Sequence, residues 1–367
     1  MLCLAAGALG GVSGALLVNA LDEDAQSARV ASEAPATPTP DAGERLRLSL
    51  PEAMDAVVSI LVDLPPGETE AGQPTERQNF GTGVVVSSDG LVLTNQHVLE
   101  GASRIRVVLP TGEEREASPL ADDAPFHDVA LLQTNGRGLR TARLGDSAAA
   151  MPGDPIAVIA SGIVTFDNQV KVGVISARDL AFPREGVILE GLLQTDAAVN
   201  NGDSGGALVN AEGEVIGLVT FVVRTNANGQ EVQGVAMAHA MEDLRPFIQA
   251  VRADGVNPRG RIGIERLGRH HVPLTPALAA ERGLPMAAGA LVLAVEPESP
   301  AALAGIQPGD VVLGVGGVAI EGLAPFPNLL ASAQPGDRVT LSVWRNGETR
   351  DVTVEPRPVR IAIRSAP

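Results

Sequence analysis

Between Thr82 and Ala240 the apolar residues fall into short runs, each closed by Gly, Asp, Asn or Pro. Runs of this length, bounded by turn formers and rich in β-branched residues, predict strands rather than helices. "TGVVVSS" and "LVLTNQ" flank Asp89-Gly90, a pair suited to a tight hairpin. Further runs are "RIRVVL", "DVALLQT", "PIAVIA", "QVKVGVIS", "GALVN", "EVIGLVTFVV" and "VQGVAMA". So many short strands predict an all-β barrel or sandwich over residues 48–255. The region closes on "AMEDLRPFIQAVRADG", an amphipathic helix expected to be interrupted near Pro246 and ended by Gly255.

A second unit is predicted at residues 260–357, after the linker "DGVNPRG". Its strands lie near "ALVLAVEP", "DVVLGVGGVAI", "RVTLSVWRNG" and "TRDVTVEP", with helical stretches at "SPAALAG" and "FPNLLASA", which together make a small α+β domain. At the other end, residues 1–21 carry no charge and are long enough to cross a bilayer as an N-terminal apolar helix. They read as a membrane anchor or an export signal. "VNA" before Leu21 is a poor cleavage pattern, which favours the anchor. Residues 22–47, rich in Ala, Pro, Ser and acid, bury too little apolar surface to offset their ordering entropy and predict a disordered linker.

Composition narrows the partners. Aromatic residues make up 2% of the chain, so the core must be packed by Val, Leu, Ile and Ala. A net charge of −17 opposes long-range attraction to nucleic acid. Cys3 is the only cysteine, so no internal disulfide forms and the fold stands on its core.

The candidate chemistry sits in "NNGDSGGAL", Asn200 to Leu208. Glycines crowded around one hydroxyl predict a tight loop that presents Ser204 together with backbone amides. A serine nucleophile needs a base within hydrogen-bond reach and a third group to hold that base. Of the five histidines, His97 lies where an apolar strand gives way to a polar turn. His127 sits beside Asp128 in a strand-like run and would face away from it, and His270 and His271 belong to the second unit. Asp128, opening "DVALLQT", suits the orienting acid; Asp196 is the rival, and Asp122 and Asp123 fit worse.

Three blocks, "GTGVVVSSDGLVLTNQHVLEG", "HDVALLQ" and "LQTDAAVNNGDSGGALVNAEGEVIG", resemble the trypsin-like serine proteases of the HtrA (Deg) family, in that family's His, Asp, Ser order. The resemblance implies a chymotrypsin-like double β-barrel with His97 as base, Asp128 as orienter and Ser204 as nucleophile. It implies an oxyanion hole at Gly202, Asp203 and Ser204, with the amides of Gly202 and Ser204 as donors. HtrA members generally carry Asn where this chain has Asp203, whereas digestive trypsins use an Asp there to bind an N-terminus released by cleavage. No corresponding activation site precedes Val57. Asp203 is therefore expected to pair with an Arg or to accept backbone N–H bonds, and Asp203→Asn to keep activity. Ala198, Thr220, Gly234 and Val235 are expected to line a primary pocket for small or medium aliphatic side chains.

"RGRIGI", "SPAALAGIQPGDVVLGVGGVAI" and "GDRVTLSVWRNGE" resemble a PDZ domain of the kind appended to HtrA proteases. The amides of Ile262, Gly263 and Ile264 would then hold a peptide's terminal carboxylate, helped by Arg261. Taken together, the resemblance implies an envelope serine endopeptidase acting on unfolded or misfolded proteins, assembled as a homotrimer and needing no metal or organic cofactor. The alternatives are a catalytically idle PDZ-bearing chaperone or scaffold, and a dedicated signalling protease that cuts a membrane-bound regulator.

Overall fold

The strand runs between Val57 and Ala240 close into two barrels of six strands. The first contains β1 (Val57–Glu68), β2 (Pro74–Val85), β3 (Leu91–Thr94), β4 (Arg104–Val108), β5 (Glu114–Asp122) and β6 (Ala130–Thr134), in the order β1-β2-β3-β6-β5-β4. The second contains β7 (Pro155–Ser161), β8 (Asn168–Arg184), β9 (Val187–Thr195), β10 (Ala207–Val209), β11 (Val215–Val222) and β12 (Ala236–Ala240), in the order β10-β11-β12-β9-β8-β7. The structure is a computed structural model that describes residues 41–360 apart from 69–73, 162–166, 185, 227 and 321–324. The expected N-terminal apolar helix and anchor fall on residues 1–21, outside the described residues. No helix among the described residues is long and apolar enough to cross a membrane.

The hairpin expected at Asp89-Gly90 forms, with Val84 opposite Leu93 and Val85 opposite Val92. One apolar cluster joins Val84, Leu93 and Leu131 of the first barrel to Ile159, Val209 and Leu218 of the second, so the cleft between the barrels has a rigid floor. The same cluster takes in Leu244, Phe247, Ile248 and Val251 of the helix Met241–Asp254. That helix runs through Pro246 without the expected interruption, because its buried face holds it against the barrels on both sides of the proline. Gly255 closes it in the left-handed conformation, at φ 62°.

Two boundaries differ from the sequence reading. The helix Ala42–Met54 begins inside the stretch expected to be a disordered linker, and its Leu46 packs against Ala157 and Ala211. The expected linker "DGVNPRG" lies largely in a strand, β13 (Val256–Arg261), whose register shifts between Asn257 and Gly260 where Pro258 falls. Its partner is β20 (Arg357–Arg360), about a hundred residues away and invisible to local spacing. The rest of this unit is a six-stranded sheet. It is built from β14 (His271–Pro273), β15 (Ala290–Val292), β16 (Val311–Val315), β17 (Val318–Ala319), β18 (Val339–Arg345) and β19 (Glu348–Val354). Short helices at Pro300–Leu303 and Phe326–Leu330 cover its core.

Candidate active site

His97 opens a single 3-10 turn three residues after β3, so its backbone is held by the barrel while its ring faces the cleft. Asp128 lies just before β6, the neighbour of β3, where Thr94 pairs with Ala130. The two meet twice. The backbone N–H of His97 donates to Asp128 Oδ1 at 2.9 Å, and His97 Nδ1 lies 2.5 Å from Oδ2. Burial alone would push the Asp128 carboxyl up, but the bonds and charge of His97 outweigh it and hold the group below the usual carboxylate range. The carboxylate therefore fixes the ring with Nδ1 bonded, leaving Nε2 for the cleft.

Thr220, in β11, completes the set. Its hydroxyl donates to Asp128 Oδ2 at 3.1 Å, and its carbonyl accepts the Ser204 hydroxyl at 3.1 Å. Thr220 was expected to line the specificity pocket; instead it is buried and ties the acid to the serine. A threonine amid the apolar run "VIGLVTFVV" was the available signal. Among the described residues no hydrogen bond joins Ser204 Oγ to His97 in this state. The two neighbourhoods nevertheless touch: a β-carbon added at Gly81 would lie 2.5 Å from the side chain of Val98 and 3.3 Å from the carbonyl of Ser204.

The serine loop is pinned by several of its backbone groups. Thr82 N donates to Ser204 O at 2.8 Å, Thr82 Oγ1 to Gly202 O at 2.9 Å, Gly205 N to Val219 O at 2.8 Å and Gly206 N to Asp203 O at 2.8 Å. Gly205 has φ +83°, and a β-carbon there would strike the Thr82 carbonyl and lie 2.6 Å from Thr94 Oγ1, so no other residue fits. Of the three residues expected at the oxyanion hole, Asp203 spends its N–H on Asn200 O at 3.1 Å. The amides of Gly202 and Ser204 have no acceptor among the described residues.

Other expected residues fall elsewhere. Asp196, the rival acid, accepts from Val174 N at 2.8 Å. Asp123 bonds His127 Nδ1 at 2.7 Å, which removes both from the catalytic set. Ala198 and Gly234 are exposed, and Val235 is half-buried against the cluster of Val187, Leu189 and Met237.

In the second unit the amides of Ile262 and Gly263 are already bonded, by the buried carboxylate of Glu265; for Gly263 both oxygens lie at 3.0 Å. Ile262 and Ile264 themselves are core residues. Arg261, expected to assist there, turns away and donates to the carbonyls of Ala124 and Asp122. It belongs to a junction in which Arg259 pairs with Asp123 at 3.0 Å and Arg266 with Asp122 at 2.6 Å. Phe126, two residues before Asp128, packs into the core of the second unit with Ile262 and Ile264. Arg259 lies over its ring at 4.6 Å. Beside the site, a cavity of about 360 Å³ is lined by Gln96, His97, Asp128 and Arg184 from the barrels and by Arg266 and Leu267 from the second unit.

Known proteins resemble this chain. Residues 81–218 match the family described as "Trypsin-like peptidase domain", and residues 260–355 match "PDZ domain". A protein of Halomonas elongata named "Probable periplasmic serine endoprotease DegP-like" is 37% identical over 291 residues, covering 79% of this chain and 58% of its own length. The HhoB protein of Synechocystis sp., which carries a serine-protease name, is 34% identical over 303 residues, covering 80% of this chain and 70% of its own. Among solved structures, "HtrA-type protease AlgW with decapeptide" superposes with a TM-score of 0.52 at 30% identity, over 85% of this chain and 98% of that one. The serine endoprotease from Yersinia pestis gives 0.52 at 26% identity, over 88% and 99%. The chain thus spans just over half the length of the first of these relatives and nearly all of the solved structures. With two barrels, a bonded His–Asp pair beside a glycine-bound serine, and a PDZ domain behind them, the chain belongs to the HtrA family of trypsin-like serine proteases.

Proposed function

We propose that the chain is a serine endopeptidase of the cell envelope that cleaves unfolded or misfolded proteins. The observation that carries this reading is the bonded pair His97–Asp128, linked through Thr220 to the hydroxyl of Ser204. Rotation about the Cα–Cβ bond of Ser204 exchanges the Thr220 carbonyl for His97 Nε2, which takes the proton as Oγ attacks the scissile carbonyl. Asp128 orients the ring and stabilises its protonated form. The developing oxyanion receives the amides of Gly202 and Ser204, each worth about 3 kcal/mol of barrier. His97 then returns the proton to the leaving amine, and water releases the acyl group by the same steps.

Ala198, where a trypsin of basic specificity has a carboxylate, supports cleavage after small or medium aliphatic residues, with Gly234 and Val235 beside it. The PDZ domain binds C-terminal peptides at Ile262, Gly263 and Ile264 once Glu265 yields its place. Trimer assembly through the protease domains and an N-terminal membrane anchor are the arrangement that the family resemblance supports. The periplasmic name of the Halomonas relative supports the compartment.

One observation favours the rival reading of an idle scaffold: the hydroxyl of Ser204 rests on Thr220 rather than on His97. A fluorophosphonate probe separates the two. Labelling of the wild type at a single site, absent in Ser204→Ala, together with casein cleavage lost in the same variant, supports the endopeptidase. An unlabelled wild type refutes it.

A further inference from the structure

Lys171 is the one lysine among the chain's 27 lysines and arginines. It lies in β8 opposite Val158 of β7, and its ammonium bonds Asp203 Oδ2 in the interior, with side-chain exposures of 15% and 4%. The same oxygen accepts the N–H of Asn200 at 2.6 Å. Asp203 is thus met by a lysine and a backbone amide, where an arginine or backbone amides were expected.

We propose that Lys171 is a positioning residue for the reaction above, a built-in cation that keeps the oxyanion loop in its working shape; the inference rests on the endopeptidase reading and deepens it. The Ser204 N–H belongs to the peptide bond that follows Asp203, so the direction in which the Asp203 side chain is anchored sets where that N–H points. With the ammonium present, the carboxylate stays inside, bridging Lys171 and Asn200. Without it, the carboxylate is a buried charge lacking its ion partner, which is costly enough that the loop must turn it toward water. That turn rotates the adjoining peptide and takes one oxyanion donor away. A compact ammonium on a flexible stem reaches one oxygen between packed strands, whereas a planar guanidinium needs room for its fork. Because the cation comes from within the chain, the loop needs no N-terminus freed by cleavage. The expectation that Asp203→Asn keeps activity is replaced: that change leaves the half-buried ammonium of Lys171 without its partner.

The test compares full-length wild type, Lys171→Met, Asp203→Asn and the double variant. Peptide kcat and KM, fluorophosphonate labelling of Ser204 and hydrogen exchange across residues 199–207 are measured for each. For Lys171→Met the expected result is a kcat about a hundredfold lower with KM within threefold, labelling slowed in proportion, and exchange of the Asp203 and Gly206 amides at least tenfold faster. Asp203→Asn should also lose kcat. The double variant, with no buried charge left, should return to within tenfold of wild type. A Lys171→Met kcat within threefold of wild type, or a double variant as inactive as the single ones, overturns the proposal. If Lys171→Met does not fold, chemistry on folded wild type replaces it, since Lys171 is its only ε-amine. Mass-verified acetylation should lower kcat about a hundredfold and reductive dimethylation, which keeps the charge, should preserve it; a kcat within threefold of wild type after acetylation overturns the proposal. A wild type that resists labelling while neutralised Lys171 still loosens residues 199–207 refutes the endopeptidase and leaves the brace standing.

Discussion

His239 lies fully buried in β12, and neither of its ring nitrogens has a hydrogen-bond partner among the described residues. Its ring meets that of His127 edge-on, 5.5 Å between centroids. Burial, and after it the charge of His127, push its pKa down from 6.5 to about 3; Asp128 and Asp123 pull the other way and lose. Between those two values the unfolded chain binds a proton that the folded chain refuses, so stability rises with pH through this window and is lost as pH falls. Going from pH 7.5 to pH 5 costs about 2 kcal/mol by this one group, out of about 5 kcal/mol for the complete shift. For a unit of roughly 200 residues that is about 4–8 °C in Tm. The perturbation is His239→Leu, close in volume and without nitrogens to satisfy, so the variant should be at least as stable at pH 7.5. Calorimetry of both proteins at pH 7.5 and 5.0 should show the variant losing about 4–8 °C less than wild type. The other titrating groups are common to both, so parallel losses would refute the reasoning.

Thr220→Val keeps the side-chain shape and removes the bond to Asp128; kcat/KM for peptide hydrolysis should fall roughly 10–100-fold, as for a hydrogen bond to a charged group, with Tm nearly unchanged. An unaltered kcat/KM would return Thr220 to a purely structural role. Glu265→Ala frees the amides of Ile262 and Gly263, so a C-terminal peptide should bind at least about tenfold more tightly by fluorescence anisotropy, while an amidated peptide gains nothing. Equal affinity in both proteins would mean that the loop is not where the carboxylate lands. Phe126→Ala empties a place in the PDZ core and should cost about 3–5 kcal/mol, read as a lowered or split thermal transition. A single transition at the wild-type temperature would contradict that packing.

The barrels were legible where strands are apolar and bounded by turns. β7 and β11 announce themselves because both of their faces are buried. β5, "EREASPLAD", lies with its residues exposed or half-buried and carries no apolar alternation to read. β13 reads as a linker because its partner comes from the far end of the chain. His97 and Asp128 could be singled out as candidates because each sits where an apolar strand meets a polar turn, but local spacing left Asp196 open as the acid, and the choice of Asp128 came with the family resemblance. The glycines after Ser204 could be read because the site leaves no room for a side chain: at Gly205 the Thr82 carbonyl, and at Gly206 the Asp203 and Ile159 carbonyls, lie where a β-carbon would go.

The amino-acid order by itself determined most of the apolar strands, where the tight serine loop lies and that His97 is the candidate base. All of these are properties of a few neighbouring residues. Only the tertiary structure decided that Thr220 reaches Asp128 across 92 positions, that Lys171 meets Asp203 across 32, and that Phe126 leaves the first barrel to enter the PDZ core. Such contacts are made by burial: a polar group taken from water must find whichever partner the packing brings near, and the packing is a property of the whole chain.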